Sequence, residues 1–262
     1  LWPSLLGLLL AGIETGSLNL KNFIIVILGS VLVRSCGCVI NDISDFKIDK
    51  LVSRTVGRPL ATGSITISEA WMFFIALGSL SIALLVFTNT LTLKISLFFA
   101  LLIMIYPLTK RFFPAPQFVL GITFGSGSLI AYSLQSDIFS FSLAILYLGI
   151  VSWIIGFDTL YALEDKDDDI KININSTAIL WGDNAIKYAQ ILHLAFFASL
   201  LIIAILNKFS FYFIFVFMGH MIVYFYKKSL IKRFKFLQAF KANNWIGIIA
   251  VSGFLFEFFQ LA

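Results

Sequence analysis

Two runs of carboxylates, far apart in the chain, are the residues best suited to chemistry. The first is Asn41-Asp42-Ile43-Ser44-Asp45-Phe46-Lys47-Ile48-Asp49, which closes a long apolar stretch. Asn41, Asp45 and Asp49 recur every fourth residue, so a helix stacks them turn over turn on one face. The second run is Asp158, then Glu164, Asp165, Asp167, Asp168 and Asp169; Asp165 and Asp169 repeat the four-residue step, with Asp158 two turns back on the same face. Nine of the chain's 14 acidic residues lie in these two runs. Like charges at this spacing repel, and at the C-terminal end of a helix they also oppose its dipole, unless a cation binds between them. Mg²⁺ is the natural ion, because it takes oxygen ligands and is usually held by one or two carboxylates together with substrate phosphates. Two runs suggest two ions clamping one diphosphate.

The basic residues nearby suit phosphate. Arg54-Thr55-Val56-Gly57-Arg58-Pro59 sets two guanidinium groups four residues apart just beyond the first acids, and arginine makes forked hydrogen bonds to phosphate oxygens. Lys110 and Arg111, at the end of another apolar stretch, either add charge there or only signal topology. Arg34 stands inside an apolar stretch, where a charge is expensive and usually functional. It precedes Asn41 by seven residues, so it shares that face and lies about 10 Å deeper. That depth suits a receptor for the carboxylate of a small aromatic acid; the competing reading is a structural ion pair, with Asp158 as the evident partner. Tyr161 lies on the stripe of Asp158 and Asp165 and either orients a ring or belongs to an interfacial aromatic belt. His193 and His220 read as polar packing, and Cys36 and Cys38, two apart, as small packing residues that cannot form an ordinary bridge.

The elements that position these groups must be membrane helices. The chain has 262 residues, 60% apolar and 13% charged, where soluble domains carry roughly a quarter charged residues. Nine apolar segments stand out, at roughly 1–13, 20–40, 70–88, 91–107, 117–133, 138–157, 187–206, 209–226 and 244–262. Helices of about 20 residues span a bilayer. The chain starts without Met inside an apolar run, and a missing N-terminal piece is expected. Gaps after the odd-numbered segments are short and nearly uncharged. Those after the even-numbered ones carry Lys47, Lys50, Arg54, Arg58, Lys110, Arg111, Lys166, Lys171 and the run from Lys227 to Lys241, most of the 19 basic residues. The positive-inside rule makes that side cytoplasmic, and both acidic runs fall on it. The net charge of +5 is therefore a topology signal, not one for nucleic acid. The basic run 227–241 reads as a topology determinant near anionic lipid. Each acidic run ends a segment and leads into a loop with small polar residues, Leu60-Ala61-Thr62-Gly63 and Ser176-Thr177-Ala178, a hint of two four-helix halves plus one helix.

At these residues the chain resembles the UbiA-type membrane prenyltransferases, essentially end to end. The signature is Asn41-Asp42-x-x-Asp45-x-x-x-Asp49 followed by Arg54-Thr55-x-x-Arg58-Pro59-Leu60. Asp158-Thr159-x-Tyr161-Ala162-x-x-Asp165-x-Asp167-Asp168-Asp169, followed by Ser176-Thr177-Ala178, is similar to the subgroup that prenylates 4-hydroxybenzoate in ubiquinone biosynthesis. The resemblance implies an all-α, polytopic fold: nine transmembrane helices ringed around a central cavity that opens laterally to lipid, a single domain over 1–262. It implies that Asn41, Asp45, Asp49, Asp165 and Asp169 hold the Mg²⁺–diphosphate and that Arg54, Arg58 and Lys110 grip the diphosphate. Arg34 then meets the benzoate carboxylate, and Tyr161 belongs with the substrate-binding residues. Asp45, Asp165 and Asp158 are the expected catalytic set; the general base stays open between Asp158 and the released diphosphate. The expected partners are a polyprenyl diphosphate, 4-hydroxybenzoate and the lipid bilayer, with no nucleic acid and no obligate protein partner. The membrane is a bacterial inner membrane or a mitochondrial inner membrane, with the acids on the cytoplasmic or matrix side. The subgroup has a further segment at its start, which leaves the first helix open. Two alternatives are a family member acting on a naphthoate, a haem or a glycerol phosphate, and a cation transporter using intramembrane acids.

Overall fold

The structure, a computed structural model, describes residues 1–261. All regular structure among them is helical: α1 (Trp2–Thr15), α2 (Leu20–Asp45), α3 (Pro59–Thr62), α4 (Ile67–Leu85), α5 (Thr90–Thr109), α6 (Pro116–Ser133), α7 (Phe141–Lys171), α8 (Thr177–Leu180), α9 (Ala185–Leu206), α10 (Ile214–Lys232), α11 (Phe236–Lys241) and α12 (Asn243–Leu261). The helix starts are written locally. Asn19, Asn89 and Ser140 accept backbone N–H bonds in the first turns of α2, α5 and α7, and Thr66 with Glu69 forms a capping box on α4. Pro59 and Pro116 open α3 and α6, where a missing N–H costs nothing.

Seven of the long helices, α2, α4, α5, α7, α9, α10 and α12, are long and apolar enough to cross a membrane. The protein is an all-helical, polytopic membrane protein. Nine spans are expected from the sequence, and the two further long helices are special. α1 has only 14 residues, and α6 is rich in Gly, Ser and Thr. They pack on each other, α1 within the interior and α6 with Phe118 and Ile122 still turned outward. Every residue of α1 from Leu5 to Gly12 is buried, as expected for a helix that is apolar all round. Its neighbours are α2, α6, α7 and α12. By contrast α4 buries only Ala70 and turns Met72, Phe73, Ile75 and Ile82 outward, a surface suited to lipid.

Small residues let the inner helices approach closely. A Cβ on Gly7 of α1 would lie 2.1 Å from the Ser128 carbonyl oxygen of α6, and one on Gly127 would lie 2.5 Å from the Ser4 hydroxyl. One on Gly156 of α7 would meet His193 Nδ1 of α9 at 2.8 Å.

The acidic runs differ in setting from their sequence expectation. The sixth apolar segment, expected to end at 157, belongs to α7, which continues for 31 residues or about 46 Å. The second acidic run is thus helical, as its four-residue step expects, and Lys166 and Lys171, expected in the gap after that segment, lie on the same helix. Alanine and straight-chain residues favour that continuation, and no Gly or Pro stops it before Lys171. The first run is split. α2 ends at Asp45, so Asp49 lies in the turn beyond it; its N–H still donates to the Asp45 carbonyl at 2.8 Å, which keeps it beside the helical acids. The eighth segment, expected at 209–226, is a short turn of 3-10 helix at Phe211–Phe213 followed by α10, which runs on to Lys232. Each acidic stretch leads to a four-residue helix, α3 or α8.

Gly7→Ala is expected to destabilise the fold by about 1–3 kcal/mol through overpacking. Thermal unfolding in detergent reads it, and an unchanged midpoint would contradict the close α1–α6 contact.

Candidate active site

The ends of α2, α5 and α7, the loop before α3 and the α11–α12 corner enclose a cavity of about 1030 Å³. Asn41, Asp45, Asp49, Arg54, Arg58, Lys110, Asp158, Tyr161, Asp165 and Asp169 all line it, as does Arg34. The first turn of α1, Trp2 to Ser4, contributes to the wall. Residues more than 100 positions apart therefore face one space.

The two acidic stretches are tied across it. Arg54, beyond the first run, forks onto Asp165 of the second, with Nε to Oδ1 at 2.9 Å and Nη2 to Oδ2 at 2.5 Å. The Ser53 N–H donates to Asp168 at 3.2 Å, and Lys171 adds a second bond to that carboxylate at 3.1 Å. Within the first run, Arg58 Nη1 bridges Asp42 at 2.9 Å and Asp49 at 3.0 Å. Lys110, from the end of α5, pairs with Asp45, and Arg111 donates to the Ser44 carbonyl at 2.5 Å. The Asn175 N–H donates to the Lys110 carbonyl at 2.9 Å, which locks the second loop to α5. Burial works to lower the Arg54 pKa, but the Asp165 hydrogen bonds and the nearby Tyr161 more than offset it and raise it above the ordinary value. The guanidinium also lies over the Tyr161 ring at 4.5 Å. Tyr161 therefore lies in the cavity wall, against Arg54.

Arg34 makes no ion pair within 4 Å among the described residues. Its guanidinium lies 5.3 Å from the Phe124 ring centre and is open to the cavity. Asp158 is likewise without an ion pair among the described residues. Glu164 and Asp167 stand apart: Glu164 accepts from the Leu237 N–H of α11 at 3.0 Å, and Asp167 is exposed.

The residues fit a hard cation. Asp45 is 1% exposed; Lys110 satisfies Oδ2, while Oδ1 is buried without a hydrogen-bond partner. Such an orphan acceptor costs about 1–3 kcal/mol or more when charged. Among the described residues no three His, Cys, Asp or Glu side chains are grouped to hold an ion unaided. Oxygens of the two acidic stretches would instead share an ion with oxygens of a bound ligand, the mode usual for Mg²⁺.

Several cavity residues carry no clear signal in the sequence. Gln117 follows Pro116 at the head of an apolar segment; it is buried and accepts the Thr177 N–H at 2.9 Å, joining α6 to α8. Tyr106, Phe240, Asn243 and Asn244 also line the space. Two lysines of the run 227–241 turn inward, while Lys228, Lys232, Arg233 and Lys235 stay exposed. Lys227 is only 4% exposed, with His193 at 2.5 Å and the Asn243 side-chain oxygen at 2.6 Å, and Lys241 faces the cavity. His193 is buried, with the Ala189 carbonyl at 2.7 Å from Nδ1 and both the Asn243 oxygen and that lysine within 2.7 Å of Nε2.

The profile of the UbiA prenyltransferase family matches residues 1–246. A 4-hydroxybenzoate octaprenyltransferase of Saccharophagus degradans is 38% identical over 98% of this chain and 86% of its own length. One from Shewanella loihica is 36% identical over 95% of this chain and 87% of its own. Among solved structures, the apo structure of a UbiA homolog from Aeropyrum pernix K1 superposes with a TM-score of 0.84 at 23% identity, covering 97% of this chain and 96% of that one. A UbiA homolog from Archaeoglobus fulgidus bound to GPP and Mg²⁺ gives 0.66 at 18% identity, covering 99% and 95%.

The Arg54–Asp165 fork is testable without ligand. In a cycle of Arg54→Gln, Asp165→Asn and the double variant, thermal stability is expected to show a coupling of about 0.5–3 kcal/mol. Strict additivity would remove the bridge between the two acidic stretches.

Proposed function

The chain belongs to the UbiA prenyltransferase family, and from that premise we propose that it transfers a polyprenyl group from a polyprenyl diphosphate to 4-hydroxybenzoate, at the ring carbon next to the hydroxyl. The observation that carries this reading is the convergence of both acidic stretches and their cations on one cavity, which Arg34, without an ion pair among the described residues, also lines. The likeness to 4-hydroxybenzoate octaprenyltransferases over nearly the whole chain supports the acceptor. The reaction is an early step of ubiquinone biosynthesis.

The proposed metal is Mg²⁺, held by Asn41, Asp45, Asp49, Asp165 and Asp169. When bound, it neutralises charge on the diphosphate as that group departs. Arg54, Arg58 and Lys110 exchange their carboxylate partners for phosphate oxygens and stabilise the same developing charge. The donor's tail lies in the bilayer, and the surrounding helices keep water from the allylic carbon while the C–O bond breaks. Arg34 holds the acceptor carboxylate, which points the electron-rich ring toward that carbon. The ring carbon forms the new C–C bond, and loss of its proton restores aromaticity. The two candidates to take that proton are the departing diphosphate and Asp158, which lines the cavity and has no ion pair among the described residues. The basic side of the bundle is cytoplasmic or, in a mitochondrion, faces the matrix.

Mass spectrometry of membranes given 4-hydroxybenzoate and donors of mixed length is expected to show a prenylated product. Its absence, with prenylation of a naphthoate or glycerol phosphate instead, would move the acceptor. Asp45→Ala and Asp165→Ala are each expected to abolish turnover, and EDTA to silence the enzyme until Mg²⁺ is restored. Arg34→Ala is expected to raise KM for the aromatic acid more than for the donor; the reverse order would displace Arg34 from the acceptor.

A further inference from the structure

Of the cations that line the cavity, three are already engaged. Arg54, Arg58 and Lys110 pair with carboxylates. Arg34 lies deeper, against Phe124. The remaining one is Lys241, at the end of α11; its side chain is exposed, faces the cavity and makes no ion pair among the described residues.

The segment that carries Lys241 is held from three sides. Glu164 of α7 accepts the Leu237 N–H at 3.0 Å. The Phe240 ring lies 4.8 Å from that of Tyr161, which itself covers Arg54, and 5.6 Å from that of Phe157. Asn243, two residues beyond Lys241, donates to the Ala239 and Phe240 carbonyls at 3.1 and 2.8 Å. Its buried Oδ1 accepts from Lys227 at 2.6 Å and from Trp153 Nε1 at 3.2 Å. Lys227 has no carboxylate partner among the described residues although it is almost fully buried in a membrane-spanning helix. A buried ammonium without an acid is costly and tends to mark function. Here its partners are His193 of α9 and Asn243 of the α11–α12 corner.

We propose that Lys241 is a further diphosphate-binding cation, supplied from the α11–α12 corner, and that Lys227 is a positioning residue which holds that corner through Asn243. This rests on the diphosphate reading of the cavity. Three cations of the site must leave carboxylates to reach phosphate, whereas Lys241 has no partner to give up. It is therefore the cation available to a diphosphate at first contact. The contacts of Phe240 with Tyr161 and of Tyr161 with Arg54 couple its segment to the fork on Asp165.

The test is titration of the full chain with inorganic pyrophosphate and Mg²⁺ by calorimetry, in nanodiscs of zwitterionic lipid that offer no anionic headgroup. Loss of one charge-assisted contact predicts that Lys241→Gln weakens binding about tenfold or more, while Lys241→Arg stays near wild type. Lys228→Gln, an exposed lysine outside the cavity, is expected to bind as wild type. Lys227→Met should weaken binding by a similar factor, and the Lys227→Met/Lys241→Gln double variant should be no weaker than Lys241→Gln alone. If Lys241→Gln binds as wild type while Arg58→Gln is weakened, the role of Lys241 is overturned and the diphosphate site stands. If Arg58→Gln also binds as wild type, the reading of the cavity falls with it. A Lys241 effect seen only when anionic lipid is added would overturn the proposal by assigning the residue to headgroups. Strictly additive losses in the double variant would overturn the positioning role of Lys227.

Discussion

Mutual repulsion among crowded carboxylates, and its relief by cations reaching across from other elements, is the constraint around which this protein is arranged. Two unit charges 4 Å apart interact by about 1 kcal/mol in water and about 4 kcal/mol at the lower effective dielectric near a protein surface. Several such contacts in one space cannot be left unanswered. The answer is crosswise: Arg54 from beside the first acids serves Asp165 of the second, and Lys110 from α5 serves Asp45. Neither acidic stretch is neutral on its own, so the site and the way its helices meet are one problem. The same cations are the groups a phosphate would compete for.

The bundle's interior answers a different demand. Lipid tails are as apolar as leucine, so burial of greasy surface cannot by itself hold membrane helices together. Close backbone approach does this where side chains are small, as between Gly7 and Ser128. Polar contacts finish the ends away from the acids, where Asn22 reaches the Leu134 carbonyl at 3.0 Å and Asn89 the Ser133 carbonyl at 2.6 Å. α1 is therefore enclosed by its neighbours α2, α6, α7 and α12.

Periodicity made the acid faces and the depth of Arg34 legible, because both follow from helix geometry along one element. Charge asymmetry marked the helix ends in the same way. What a side chain meets on another helix has no such local signature. Lys227 and Lys228 look alike in sequence, yet one is enclosed with Asn243 and the other is exposed. Gln117 reads as an ordinary polar residue after a proline until α8 is seen to need its oxygen. The length of α7 was hidden because hydropathy falls where the helix leaves the bilayer, although the backbone continues unbroken. Asp49 shows the converse: its spacing suggested helix, but α2 had already ended.

The unbroken course of α7 has a consequence for what the protein can adapt. Asp158 and Asp165 ride on one rod, about 10 Å apart along its axis. That interval acts as a ruler built into a single element, and no hinge lies within it to lengthen or shorten it. Any change in the width of the cavity must then come from the facing walls, α2 with Arg34 and α6 with Phe124, while the interval between Asp158 and Asp165 stays constant.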